Sequence, residues 1–227
     1  MRTQRPVALV GSGPAELFNI VRRASVLRRL GPVKSTSLRL ASRMANTLRH
    51  GHAVREYEEL ADAGTTLLCM PEEQLAQTVA ELAEAEISWR SRVVILCGGP
   101  PGSEALAPLA RLGASVASLC EIPDLTPARF LAEGDRAALR ESKRLFCGDG
   151  ARLLEIEKGA KTACIAGFAL LASRFPPLID EVIRQLAAAG LSRSQAAPIV
   201  ERMLVAGVRG YFRGGRRISC GPAISPP

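Results

Sequence analysis

With 227 residues, 47% of them hydrophobic, the chain can bury a substantial core as one large domain or two small ones. Only 4% are aromatic, so that core rests on Ala, Leu, Val and Ile, and the formal charge of +8 suits either an anionic partner or a solvated Arg-rich surface. Six widely spaced cysteines without a Cys-x-x-Cys pair argue against a disulfide framework or a zinc site; no secretory signal or apolar run of about 18 residues stands out, which reads as a cytoplasmic protein with no membrane partner.

The first segment, Val7 to Glu16 (VALVGSGPAE), is an apolar run ending in Gly11-Ser12-Gly13, followed directly by a helix-compatible stretch from Leu17 to Leu30. A strand, a tight glycine turn and a helix N-terminus together gather backbone N–H groups around an anion. Glycine suits the turn because it tolerates positive φ and lets a phosphate approach the backbone. Gly11, Ser12, Gly13, Pro14 and Ala15 are therefore candidate cofactor-binding residues, although the third glycine of a dinucleotide fingerprint would fall at position 16, where Glu16 stands. Gly31-Pro32 reads as a breaker, and Val33 to Arg39 (VKSTSLR) contains the end of a second strand. In a Rossmann unit an acid at that end selects NAD, whereas Arg and hydroxyl groups accommodate the 2′-phosphate of NADP. No acid occurs between Val33 and Arg49, while Ser35, Ser37 and Arg39 are available, so the expected dinucleotide is NADP. The other reading is a polar turn before a helix from about Leu40 to Arg49.

His50-Gly51 closes that helix, and His50 and His52 read as turn residues because no third histidine exists for a metal site. Ala53-Val54 is a minimal third strand and Glu56 to Ala61 a short helix. Thr65 to Met70 is a buried strand stopped by Pro71; Pro71-Glu72-Glu73 then starts a helix with Leu75, Val79 and Leu82 on one face. Arg92 to Cys97 is the clearest strand and runs into Gly98-Gly99-Pro100-Pro101-Gly102. Leu106 to Leu112 is a short helix, and Ala114 to Leu119 and Arg129 to Ala132 are strands. A helix from about Arg136 to Phe146, N-capped by Asp135, and a strand from Arg152 to Ile156 follow. This alternation predicts an α/β fold, a Rossmann-type parallel doubly wound sheet over residues 1–156. Ligands of such sheets sit outside the carboxyl ends of the strands, which places Gly11–Ala15, Cys69–Pro71 and Cys97–Gly99 around one crevice.

Residues 157–227 read as a small all-α domain. Thr162 to Ala172 (TACIAGFALLA) is apolar on nearly every face, too short to span a bilayer and suited to a fully buried helix. Leu178, Ile179, Val182, Ile183 and Leu186 mark an amphipathic helix closed by Gly190, and Ser192-x-x-Gln195 is a capping box for the last helix, unless Pro198 shifts its start to Ser194. The apolar helix needs a partner, and a homodimer through the C-terminal helices is the economical answer. The Arg-rich close, Arg209 to Arg217 with Tyr211 and Phe212, is too short for an RNA-binding module, so nucleic acid is not the expected partner. It reads as a solvated loop, or as a source of arginines (Arg209, Arg213, Arg216) for an anionic substrate or cofactor phosphate.

The segments VALVGSGPAE, TTLLCMPEEQLAQTVAEL, RVVILCGGPPGSEALAPLARLGASVASL, FLAEGDRAAL and CGPA, in that order over almost the whole chain, resemble the superfamily of pyrroline-5-carboxylate reductase and the β-hydroxyacid dehydrogenases. The likeness is greatest to the branch that carries a C-terminal domain of unknown function. The resemblance implies a Rossmann domain followed by helices that dimerise, with an NADP-dependent oxidation or reduction of a small C=O or C=N substrate between them. Cys69, Met70, Pro71, Cys97 and Gly98 would then lie on the nicotinamide side. Cys97 is also open to reading as a reactive thiol or, more simply, as a buried structural one.

Departures from the family pattern are specific. Glu16 replaces a glycine, Leu96-Cys97-Gly98-Gly99 replaces His-Cys-Ser-Gly, a His-Pro pair is lost around Cys120-Glu121, and Lys161-Thr162 replaces Tyr-His. The Arg and Asp after the final Gly-Pro are missing. Lys161 lies where β-hydroxyacid dehydrogenases carry an acid/base lysine, which makes it the candidate catalytic residue, although the downstream Asn of that family is absent. Such a role needs a lysine pKa lowered by burial. Two functional readings result: an NADP-dependent oxidoreductase, or an inactive Rossmann dimer serving as a scaffold or nucleotide sensor.

Overall fold

Strands β1 (Val7–Gly11) and β4 (Thr65–Cys69) are buried at every position, as runs of Val, Leu and Thr must be when helices cover both faces of a sheet. The computed structural model describes residues 5–12 and 20–214. Its first compact unit, ending at Ile165, is built on an eight-stranded sheet of order β3-β2-β1-β4-β5-β6-β7-β8. The remaining strands are β2 (Leu30–Lys34), β3 (His52–Ala53), β5 (Val93–Cys97), β6 (Ser115–Ile122), β7 (Arg129–Gly134) and β8 (Arg152–Glu155).

Alternate residues along the strands feed two separate cores. Leu9, Leu67, Ile95, Ala117 and Phe130 point to one face, packed under α1 (Ala24–Leu27), α2 (Leu38–Leu48) and α5 (Arg136–Phe146). Val10, Leu68, Leu96 and Val116 point to the other, packed under α3 (Glu72–Glu84) and α4 (Ala107–Arg111), with Trp89 fully enclosed and its indole N–H donating to Leu82 O at 3.2 Å. Helices on both faces and a sheet order that reverses between β1 and β4 make the fold doubly wound, with its topological switch point at those two strands.

Two features of the sheet differ from the sequence reading. Gly31-Pro32 does not break the chain but lies inside β2. A register shift between Val7 and Leu9 gives β2 one extra residue against β1, the irregularity with which a sheet accommodates a proline that has no N–H to donate. The sheet is also not wholly parallel, because β7 runs antiparallel to β6. Gly134 permits the close approach there: it has φ +133°, and a Cβ would meet Val116 O at 2.3 Å. Asp135 does sit at the N-cap of α5, but its carboxylate accepts from Val116 N at 2.9 Å instead of capping the helix.

The second compact unit starts at Ala166, inside α6 (Lys161–Ala188) and a little beyond the composition change near Glu157. The sequence suggested two helices here; one helix of 28 residues runs straight through Pro176 and Pro177. An 18-residue window of it reaches a mean hydropathy of 1.4, so α6 is long and apolar enough to cross a membrane by length and composition. The expectation of a short, fully buried apolar helix fails within the single chain, where Leu170 and Leu171 are about 60% exposed. Gly190 does close α6 with φ +92°. Gln195 accepts from Ser192 N at 2.9 Å at the start of α7 (Arg193–Gly214), and Pro198 is carried inside that helix. Residues 209–214 belong to α7 and not to a loop.

Candidate functional site

The parallel register brings the carboxyl ends of β1, β4 and β5 side by side: Gly11 pairs with Cys69, Leu68 with Leu96, and Cys97 with Leu119 of β6. Ser12 N donates to Cys69 O at 3.1 Å, so the chain leaving β1 is tied to the end of β4. Gly13, Pro14, Ala15 and Glu16, and Arg216 at the other end of the chain, lie outside the described residues.

Beside this edge is a cavity of about 350 Å³. Gly11 of β1 and Ser12 just after it, Lys34, Ser35 and Thr36 from the end of β2, and Met70 after β4 form one wall. Tyr57 and a stripe of α3 (Gln74, Gln77, Thr78 and Glu81) form the other. The stripe follows from spacing, since positions i, i+3, i+4 and i+7 share one helix face, here a polar face flanking the one that carries Leu75, Val79 and Leu82. That periodicity is present in the sequence, beside the more regular apolar stripe.

Polar groups in the cavity are mutually oriented. Lys34 Nζ donates to Ser35 O at 2.9 Å and sits 4.5 Å from the centroid of the Tyr57 ring, a cation–π geometry. Tyr57 OH donates to Glu81 Oε2 at 2.8 Å, and Gln77 Nε2 donates to Glu81 Oε1 at 2.9 Å. Burial and the Glu81 carboxylate push the Tyr57 phenol well above its ordinary range. Ser35 Oγ donates to Gly11 O at 2.6 Å, and Ser12 Oγ bonds to Gln74 Oε1. Among the described residues Lys34 has no carboxylate ion-pair partner.

The predicted residues divide around this cavity. Gly11, Ser12 and Met70 line it. Ser37 is the N-cap of α2, its Oγ accepting from Leu40 N at 3.2 Å, and Arg39 is exposed on that helix; neither lines the cavity. Cys69 and Cys97 are buried side by side at the ends of their strands. A hydrogen bond with Cys97, reinforced by burial, holds the Cys69 thiol well above the ordinary thiol range, which suits packing rather than nucleophilic attack. Among the described residues no three metal-ligating side chains cluster.

Lys161 lies apart from the cavity, in a second polar cluster beyond β5. It is wholly buried, and its Nζ donates to Gly98 O (3.0 Å), Pro101 O (3.1 Å) and Ser118 Oγ (2.6 Å). Desolvation lowers its pKa, partly opposed by Cys120, Cys97, Glu133 and Glu104. Glu133 on β7 is also wholly buried. Its Oε1 accepts from Ser103 N (2.8 Å) and Ser103 Oγ (3.3 Å), and its Oε2 from Gly159 N (2.8 Å) and Lys161 N (3.1 Å). Nothing in the local sequence FLAEGD marks Glu133 as a hub; only the pairing of β7 with β6 places it there.

No family model and no curated sequence matches the chain. Solved structures do match. An imine reductase from Streptomyces aurantiacus superposes with a TM-score of 0.67 at 16% identity, covering 96% of this chain and 79% of its own. A pyrroline-5-carboxylate reductase from Coxiella burnetii gives 0.61 at 12% identity, with 95% and 83% covered. A reductive aminase from Aspergillus terreus, in complex with NADPH and ethyl levulinate, gives 0.59 at 15% identity, with 92% and 75% covered. At these identities the likeness is one of architecture: this chain shares with these reductases a Rossmann-type α/β fold and a helical C-terminal region.

Proposed function

We propose that this protein binds NADP at the carboxyl ends of β1, β2 and β4 and acts as an oxidoreductase on a small C=O or C=N substrate. The observation that carries this reading is the cavity beside the switch point, where the end of β2 supplies the Lys34 cation and the Thr36 hydroxyl and no carboxylate. A 2′-phosphate fits such a site, whereas the NAD-selecting pattern is an acid at the same strand end. Among the described residues Glu81 is the one carboxylate lining the cavity, and it is already engaged by Tyr57 and Gln77 on the α3 side. NADPH in the Aspergillus terreus aminase and NAD+ in a Myxococcus stipitatus imine reductase variant of the same fold support a nicotinamide cofactor here.

In this reading Gly11 and Ser12 face the pyrophosphate, and Lys34 with Thr36 takes the place assigned from sequence to Ser37 and Arg39. Cys69, Met70, Pro71, Cys97 and Gly98 border the nicotinamide, which supplies the hydride. The test is titration with NADPH and NADH, followed by hydride turnover against a panel of imines and carbonyl compounds. Saturable NADPH binding with turnover supports the proposal; absence of binding overturns it.

A second reading is favoured by Lys161, whose three N–H donors are all committed inside the protein. A nucleotide-binding protein without catalysis, a scaffold or sensor, would bind NADPH yet turn over no substrate. For assembly, we infer a homodimer through α6 and α7. Phe175, Ile179 and Ile183 of α6 face Val200, Leu204 and Val208 of α7 across a groove of about 560 Å³. Leu178, Met203 and Phe212 add exposed apolar surface on the same two helices. Charged residues Arg174, Asp180, Glu181 and Arg184 along α6 favour a second protein copy over lipid. Light scattering of the purified chain distinguishes a dimer from a monomer or a detergent-dependent species.

A further inference from the structure

Lys161 and Glu133 belong to one buried assembly that joins four separate segments of the chain. The ammonium holds Gly98 O and Pro101 O, at either end of the turn that follows β5, together with Ser118 of β6. Ser118 Oγ in turn donates to Pro101 O at 2.8 Å. The carboxylate holds Ser103, two residues beyond Pro101, on one oxygen and the entrance to α6, Gly159 and Lys161, on the other. Space around the carboxylate is filled: a Cβ at Gly102 would meet Glu133 Oε1 at 2.4 Å.

Such an arrangement is expensive unless every polar atom is paired, because both charges have left water. Here every donor of the ammonium and both oxygens of the carboxylate are engaged. Outside the clasp, the loop is held by Gly98 N donating to Leu119 O (2.7 Å), Gly102 N to Glu104 Oε1 (3.1 Å) and Thr162 Oγ1 to Pro100 O (3.1 Å). Gly98 and Gly99 adopt φ of +90° and +61°, and Pro100 and Pro101 have no N–H to donate to a ladder.

We propose that Lys161 is a positioning residue: with Glu133 it clasps the Gly98–Ser103 loop to the entrance of α6, and so sets the β5 side of the cofactor crevice. The clasp itself stands on the hydrogen bonds; its effect on cofactor rests on the NADP reading. It differs in its consequences from proton donation, which requires an ammonium that reaches substrate.

The test combines backbone hydrogen exchange with two titrations on the full chain, comparing wild type, Lys161→Met and the milder Ser118→Ala. NADPH spans the crevice, whereas 2′,5′-ADP carries only the adenosine half and reports on the Lys34 cavity. In Lys161→Met, exchange at Gly102, Ser103 and Gly159 rises about tenfold or more while Leu9 and Leu67 stay protected. NADPH binding weakens about tenfold and 2′,5′-ADP binding stays within about twofold. If Lys161→Met does not fold, Ser118→Ala decides by the same exchange criterion, with an increase of about threefold or more. Unchanged loop exchange in the folded variants overturns the clasp. So does equal weakening of both ligands, which marks general destabilisation, or lost turnover with wild-type exchange and NADPH binding, which marks a proton donor. If the wild type binds neither nucleotide, the NADP reading fails and the exchange data alone decide the clasp.

Discussion

Replacing Glu133 by alanine removes the acceptor of four hydrogen bonds in a place that solvent does not reach. Ser103 N and Lys161 N are left inside the protein without a partner, and the Lys161 ammonium loses a nearby opposite charge. Each orphaned buried donor costs about 1–3 kcal/mol. These costs do not add, because the loop relaxes and admits water, so the relevant range is that for breaking one side of a buried ionic network, about 3–5 kcal/mol. Against a total stability of about 5–15 kcal/mol this is a severe loss, and it lowers Tm by roughly 10 °C for a chain of this size. Glu133→Gln keeps one acceptor oxygen but turns an amide against two N–H groups, so about half the loss is expected. Urea unfolding is the assay, with the midpoint falling and the slope unchanged. A Glu133→Ala protein within about 1 kcal/mol of wild type would refute the reasoning, because the hydrogen bonds would then add nothing over solvation of the same groups.

Three further outcomes follow from the same contacts. Burial holds Lys161 below its ordinary pKa, so between its folded value and about 10.4 the unfolded chain carries the extra proton; stability rises with pH through that window, and urea unfolding of Lys161→Met shows a smaller rise. Burial raises the Glu141 carboxyl, but hydrogen bonds from Arg144 and Arg29 outweigh it and hold the pKa low. Its stabilisation is therefore present above the ordinary carboxylate range and lost as pH falls through the folded value, and Arg29→Met moves the acid-unfolding midpoint followed by circular dichroism to higher pH. Gly134→Ala presses a methyl group against Val116 O and Ala117 Cα at a positive φ, both backbone atoms that cannot rotate away, and costs at least about 2 kcal/mol in urea unfolding.

What the sequence disclosed depended on whether the information was local. Thr65–Cys69 and Val93–Cys97 are uniform apolar runs between breakers, and both became central strands where expected. Pro32 misled because its effect depends on the neighbouring strand: β1 accommodates the extra residue with a register shift, which no local rule contains. The break expected between Ala172 and Leu178 is absent, since apolar helix formers on both sides carry α6 through Pro176 and Pro177. At the site, Gly11, Ser12 and Met70 are legible from the strand–turn pattern, whereas Lys34, and not Ser37 or Arg39, lines the cavity because a strand end read from sequence is uncertain by a residue or two. Tyr57 reaches the cavity from a 3₁₀ turn whose sequence says nothing about direction, and the partners of Lys161 are scattered from Gly98 to Ser118, so its burial appears only once the sheet is assembled.

The account is tested most directly by titrating the wild-type protein and Lys34→Ala with NADPH and NADH under identical salt, following cofactor fluorescence. Lys34 Nζ stands in the cavity at the end of β2 with no carboxylate ion-pair partner among the described residues. Wild type is predicted to bind NADPH saturably and about tenfold or more tighter than NADH, and Lys34→Ala to lose most of that preference while binding NADH as before. Equal affinity for the two cofactors, or no saturable binding of either, would contradict it.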